Sequence, residues 1–244
     1  VISESNYYRV VRDNIPEKIS KIRDQIANFA IQYQRPPDSV KLLAVSKTHP
    51  VEKILQASAA GQHAFGENYL QEALEKITAL QAHALEWHFI GPIQSNKTRA
   101  IAENFSWVHS LDRIKIARRL SDQRPESLKA LKVLIQVNLD GESSKAGVSL
   151  QALDSLALEL AELPNIELAG LMAIPAPKTD FTEQRKTFQQ LAQARDALMA
   201  KGLDTCCELS MGMSGDFEAA IAEGATIVRI GTDIFGPRNN SSRT

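Results

Sequence analysis

Lys47 follows the run Leu42-Leu43-Ala44-Val45-Ser46, which is apolar up to Val45. A lysine held at the exit of a buried strand is desolvated, and desolvation disfavours its charged form. The neutral amine is a nucleophile that condenses with an aldehyde to give a Schiff base. The same position suits a lysine that simply reaches solvent, and position alone leaves both readings open. A second stretch, Ser210-Met211-Gly212-Met213-Ser214-Gly215-Asp216-Phe217, leads into an amphipathic helix at Glu218 to Glu223. Small residues before a helix let backbone N–H groups approach a phosphate at its positive end, and Ser214 adds a hydroxyl. The alternative is that Ser214 is a helix cap and the glycines serve turns. Val228-Arg229-Ile230-Gly231-Thr232 then supplies another glycine and hydroxyl. If Val228 and Ile230 face outward, Arg229 and Gly231 face inward. An inward arginine needs a partner, because a lone buried charge is costly. A phosphate, a carboxylate, a heteroaromatic nitrogen or a structural ion pair would each serve.

The other polar positions carry less. Asn68, in Gly66-Glu67-Asn68-Tyr69, can hydrogen-bond a ligand hydroxyl. His88 sits inside an apolar run and reads as a structural histidine. His49, His63, His83, His88 and His109 have no metal-ligand spacing with one another or with the cysteines, so no metal site is expected. No nucleophile elbow, Walker loop or dinucleotide fingerprint is present.

These residues need elements to hold them. Short apolar runs alternate with amphipathic stretches. The strand candidates are Lys41 to Ser46, Ala64 to Glu67, Trp87 to Gly91, Trp107 to Ser110, Val133 to Asn138, Leu168 to Ile174, Cys206 to Ser210 and Ile227 to Ile230. Helical periodicity fills Val51 to Ala60, Leu70 to Ala82, Lys97 to Glu103, Arg113 to Ser121, Leu150 to Leu163 and Phe181 to Ala200. Near-continuous apolar strands between such helices mean a parallel sheet covered by helices, and eight repeats favour a closed (β/α)8 barrel over an open sheet. The fold class is therefore α/β, a single barrel domain over residues 1–244. An extra helix at Asn6 to Tyr33 makes residues 1–36 an N-terminal extension, stopped by Arg35-Pro36-Pro37. The polar tail, 237–244, is expected to be flexible. Chemistry in such barrels sits at the C-terminal strand ends, where Lys47, Asn68, Ser214, Gly231 and Thr232 fall.

Composition narrows the class. Twenty-eight basic residues against 29 acidic ones leave a net charge of −1, which does not steer the chain to nucleic acid or an acidic membrane surface. No apolar run is long enough to span a bilayer, and the polar start does not read as a signal peptide. Cys206 and Cys207 are neighbours, a spacing that rarely closes a disulfide. A reduced, cytoplasmic protein is the expectation.

Seven ordered segments carry a resemblance: Leu43 to Thr48, Phe65 to Tyr69, Trp87 to Pro92, Gln94 to Lys97, Gly170 to Pro175, Leu209 to Ser214 and Val228 to Thr232. The chain resembles the pyridoxal-phosphate homeostasis proteins, also described as alanine racemase N-terminal-domain-like. The resemblance implies a fold-type-III barrel binding pyridoxal 5'-phosphate (PLP), with Lys47 forming the internal aldimine. It implies that Ser214, Gly231 and Thr232 hold the phosphate, with Arg229 near the pyridine nitrogen, Asn68 near the ring and Met172 near the cofactor. Ser210, as a partner for Arg229, and Met213 join that cofactor-binding set. Asp233 departs from the family, which usually has a small apolar residue there; solvent exposure is the expected reason. The implied function is PLP homeostasis without an established reaction, in a monomer that supplies PLP-dependent apo-enzymes. The rival readings are an amino-acid racemase and a cofactor-free binding barrel. A racemase of this fold adds a β-rich domain with a tyrosine base, and no such domain is expected after the last strand.

Overall fold

The computed structural model describes residues 14–141 and 146–237. Eight strands run in chain order around a closed barrel: β1 (Lys41–Val45), β2 (Ala64–Glu67), β3 (Glu86–Phe89), β4 (Trp107–Leu111), β5 (Leu131–Gln136), β6 (Ile166–Met172), β7 (Glu208–Ser210) and β8 (Ile227–Ile230). Every neighbouring pair is parallel, and β1 pairs with β8 to close the ring. The expected barrel is thus the observed one. Strand and helix positions agree with the sequence reading, with ends displaced by up to a few residues. β6 starts two residues early, at Ile166, and stops at Met172, before Pro175 and Pro177.

Helix α1 (Ile15–Gln32) begins at the cap Asn14, whose side chain accepts from the Glu17 N–H. Its buried residues Ile15, Ile19, Ile22, Ile26 and Ala30 form one stripe, the spacing of a helix face turned to a core. The sequence reading began this helix at Asn6; residues 6–13, like the tail 238–244, lie outside the described residues. The outer layer is α2 (Val51–Ala59), α3 (Leu70–Ala79), α4 (Thr98–Asn104), α5 (Ile114–Gln123), α6 (Leu150–Ala161), α7 (Phe181–Met199), α8 (Phe217–Ala222) and a short α9 (Thr232–Phe235) that periodicity did not reveal. α1 packs against α2, α8 and α9, so it covers the β8–β1 seam.

Two cores result from strand alternation. Val228, Ile230, Phe65 and Leu171 join the large cluster between strands and helices. Leu43, Trp107, Leu134, Ala169, Met172 and Ile227 pack inside the barrel. The β5–β6 register shifts beside Gly170. A Cβ on Gly170 would lie 2.0 Å from the Glu208 carbonyl oxygen, so only glycine allows β7 to pass this closely.

Candidate functional site

The C-terminal strand ends surround a cavity of about 280 Å3, at the low end of the range for small-molecule sites. Lys47, Asn68, Met172, Met213, Ser214, Arg229, Gly231 and Thr232 all line it. A larger cavity, about 630 Å3, opens at the other end against α1. Size does not choose between them. Arg23 beside the larger one is already bonded to the Ala60 and Gly61 carbonyls and to Gln62, whereas the smaller one gathers groups whose bonding is incomplete.

Lys47 is half-buried on a tight turn that leaves β1. The turn is closed by the His49 N–H donating to the Ser46 carbonyl at 3.1 Å. Thr48 takes a left-handed φ of 65°, which is uncommon for a residue with a Cβ and persists only where surroundings enforce it. The enforcement is a buried ionic cluster. The Thr48 N–H donates to Glu72 Oε1 at 2.6 Å. Lys76 Nζ donates to the Ser46 carbonyl, Glu67 Oε1 and Glu72 Oε1 at 2.8, 2.7 and 2.6 Å, which uses all three ammonium protons. Ser46 Oγ donates to Glu67 Oε1 at 2.6 Å. Both neighbours of Lys47 are therefore held from beneath, while Lys47 lines the cavity. Burial pushes the Glu67 carboxyl up, and Lys76 opposes that shift. Sequence reading missed Lys76 and Glu72; their separation of four residues on α3 is the only local signal.

Arg229 forms the deep polar end. It is 4% exposed. Its Nη1 donates to the Ser210 carbonyl at 2.6 Å and to Ser210 Oγ at 2.7 Å, and its Nη2 to the Ala173 carbonyl at 2.9 Å. A guanidinium has five N–H donors, so Nε–H and one Nη2–H have no acceptor among the described residues. Burial lowers the Arg229 pKa to about 10, against the opposing effect of Asp216, so the group is still a cation at neutral pH. Ser210 is fully buried behind Arg229 and does not line the cavity. It is a partner of the arginine, not a wall of the site, because β7 ends there with its side chain directed across the interior.

The opposite rim is open. Ser214, Gly215 and Thr232 are exposed, and their backbone N–H groups donate to no acceptor among the described residues. The loop is tied by Asp216 Oδ1, which accepts from the Met213 N–H at 2.6 Å. Asp216, not Ser214, occupies the cap position of α8, so the Ser214 hydroxyl is not spent as the helix cap. Between the two ends, Asn68 lines the wall with its Oδ1 buried and without a partner. Asp233 is exposed and outside the cavity lining. His49 lines the cavity with its ring 5.2 Å from that of Phe235. Sequence reading passed over it, although it stands two residues after Lys47 on the same exit. His88 is bonded on both ring nitrogens, to His109 and Glu86, as expected of a structural histidine. Among the described residues no cluster of metal-ligating side chains is present, and Cys206 and Cys207 are both free.

The sequence profile of the alanine racemase N-terminal domain matches residues 19–239. That defines the class: a barrel of the racemase type. Nearer relatives are more particular. The chain is 53% identical over 234 residues to the pyridoxal phosphate homeostasis protein of Vibrio alginolyticus, covering 93% of this chain and 99% of that one. It is 50% identical over 236 residues to the protein of the same name from Escherichia coli K12. The chain belongs to the pyridoxal phosphate homeostasis protein family. Among solved structures, PipY of Synechococcus elongatus with PLP bound is 38% identical, with a TM-score of 0.81 over 91% of this chain and 100% of that one. Alanine racemase of Corynebacterium glutamicum shares the fold at 19% identity and a TM-score of 0.69, with 63% of its chain covered.

The ionic cluster under Lys47 gives a stability prediction. Lys76→Ala leaves the buried Glu67 uncompensated and should cost about 3–5 kcal/mol in urea unfolding. Adding Glu67→Gln should recover part of that loss, because the stranded charge is then gone; an additive further loss would refute the coupling.

Proposed function

We propose that this protein binds PLP reversibly and buffers it in the cytoplasm, as a monomer that supplies PLP-dependent apo-enzymes and does not turn over amino acids. The observation that carries this reading is the pairing, in one cavity, of Lys47 on its pinned turn with the two unused N–H donors of buried Arg229. The residues fit such a ligand. Its aldehyde carbon would form a C=N bond with the Lys47 amine and release water, a Schiff base that hydrolysis reverses. Arg229 donates and cannot accept, so it suits an unprotonated ring nitrogen. Asn68 offers a polar atom to a ring substituent, and Met172 supplies an apolar floor. The Ser214 and Thr232 hydroxyls, with the N–H groups of Ser214, Gly215 and Thr232, suit a phosphate dianion at the open rim. Gly231 lies in close quarters there: a Cβ would stand 3.2 Å from the Val45 carbonyl oxygen.

The carrier reading draws on two observations. Relatives matched over nearly their whole length are named homeostasis proteins. The cavity lining of this chain also holds no carboxylate and no tyrosine among the described residues. Two-base racemisation needs a positioned base on each face, and beside Lys47 the lining offers only His49.

Three tests follow from this reading. Titration with PLP should produce the absorbance of a lysine Schiff base. Borohydride reduction and peptide mapping should then place the pyridoxyl group on Lys47; labelling of another lysine with Lys47 unmodified would remove the assignment. Thr232→Ala should weaken PLP by about 1.5–3 kcal/mol, the worth of a hydrogen bond to a charged group, and leave pyridoxal almost unaffected. Equal losses would count against a phosphate role. Incubated with L-alanine or L-serine in deuterated water, the holo-protein should incorporate no α-deuterium beyond a trace. Multiple turnovers that vanish in Lys47→Ala would restore the enzyme reading.

A further inference from the structure

Beneath Arg229 the barrel interior is crossed by a continuous chain of hydrogen bonds. Glu86 Oε1 lies 2.8 Å from His88 Nε2. His88 Nδ1 lies 2.8 Å from His109 Nε2. His109 Nδ1 lies 2.9 Å from Ser210 Oγ, across the barrel from β4 to β7. Ser210 Oγ accepts from Arg229 Nη1 at 2.7 Å. His88, His109 and Ser210 are fully buried. The chain begins at Glu86, beside the large cavity at the N-terminal strand ends, and finishes at Arg229 in the candidate site.

We propose that Glu86, His88, His109 and Ser210 form a positioning relay with one fixed proton order, which holds the Arg229 guanidinium against the ring nitrogen of the bound cofactor. This rests on the reading of the cavity as a PLP site. The order follows from donor and acceptor capacity. A carboxylate only accepts, so His88 carries its proton on Nε2. A neutral His88 then accepts at Nδ1, so His109 donates from Nε2. His109 accepts at Nδ1, so the Ser210 hydroxyl donates to it. The hydroxyl's lone pair remains for Arg229. The reverse order would set the bare Nε2 of His88 against carboxylate lone pairs.

Both imidazoles are held neutral. Burial lowers the His88 pKa, against hydrogen bonding and attraction from Glu86; Lys41 lowers it further and Glu208 opposes. Burial takes His109 well below the usual range, with His88, Arg229 and Lys41 adding to it. Glu86 is held at about 2, mainly by the His88 hydrogen bond. The His88 ring is stacked on Trp107 at 5.3 Å and 5°, and Lys41 lies 3.0 Å from Glu86 and 5.4 Å from the Trp107 ring. The His88 ring is therefore held by stacking, while Glu86 below it is paired at the half-exposed end of the chain. The upper end of the relay places two guanidinium N–H groups toward the cavity and lets neither rotate away.

The test has two arms. In the PLP-free protein, nitrogen NMR should show His88 and His109 as neutral Nε2–H tautomers; an Nδ1–H tautomer at either would overturn the proton order, whatever the cavity binds. The second arm measures affinity by absorbance titration with PLP and with its 1-deaza analogue, in which carbon replaces the ring nitrogen. His109→Phe should weaken PLP about tenfold or more, one hydrogen bond's worth, and change the analogue less than about threefold. His109→Gln keeps one donor and one acceptor and should restore PLP affinity to within about threefold of wild type. If His109→Phe does not fold, Ser210→Ala should give the same discrimination. Equal loss for both ligands would reduce the chain to ordinary core support and overturn the proposal. Failure of the wild-type protein to bind PLP would refute the proposed function, while the tautomer measurement still decides the relay.

Discussion

A positive charge lies in the dry interior of this barrel. A guanidinium that is 4% exposed is stable there only if its surroundings replace water. Two carbonyls and a hydroxyl do so on one side. Asp216 contributes attraction from the α8 cap, while that attraction and the Met213 N–H restrain the upward pull of burial on its own carboxyl. The side chain cannot move without stranding these partners. The direction of its remaining donors is thus as fixed as the barrel wall, and the shape and polarity of the cavity follow from it.

The second fixed point is Lys47. Its turn carries a left-handed residue, and strain of that kind is tolerated where other bonds over-determine the backbone. The Glu67–Lys76–Glu72 cluster supplies those bonds from the helix side of the sheet, so the interior face is left to the lysine. The barrel thus holds a lysine at one strand exit and a buried guanidinium at another. The rim formed by Ser214, Gly215 and Thr232 is built differently. It is exposed and rich in N–H donors without acceptors, and a ligand held there would remain in contact with water. A rigid interior end and a wet outer end suit a molecule that is kept and also released.

How much of this is written in the chain varies by residue. Eight apolar runs separated by amphipathic stretches specify the barrel, because each strand must be covered on the outside and each helix on the inside. Alternation along Val228-Arg229-Ile230 places Arg229 inside, and the structure agrees. Alternation fails in β6. Counting by two from inward Ala169 puts Leu171 inside and Met172 outside, but the register shift at Gly170 reverses them. A bulge inserts one residue; Gly170 inside the strand is its one local signal, and a lone glycine equally marks a close backbone approach, so it does not fix the register. Ser210 is read as a partner of Arg229, and the structure places its hydroxyl 2.7 Å from Nη1, behind the cavity and not on its lining, a distinction that depends on which way β7 ends.

By itself the sequence determined the periodicities, the strand exits and the residue types that stand on them: lysine after β1, asparagine after β2, glycine and hydroxyl after β7 and β8. These are local properties, fixed by neighbours a few positions away. Only the closed barrel decided which distant residues meet. His109 and Ser210 are 101 positions apart and bond across the interior, and Lys76 reaches back 30 positions to the carbonyl that fixes the lysine turn. Contacts of that kind come from ring closure and register, which are set by the packing of all eight strands together.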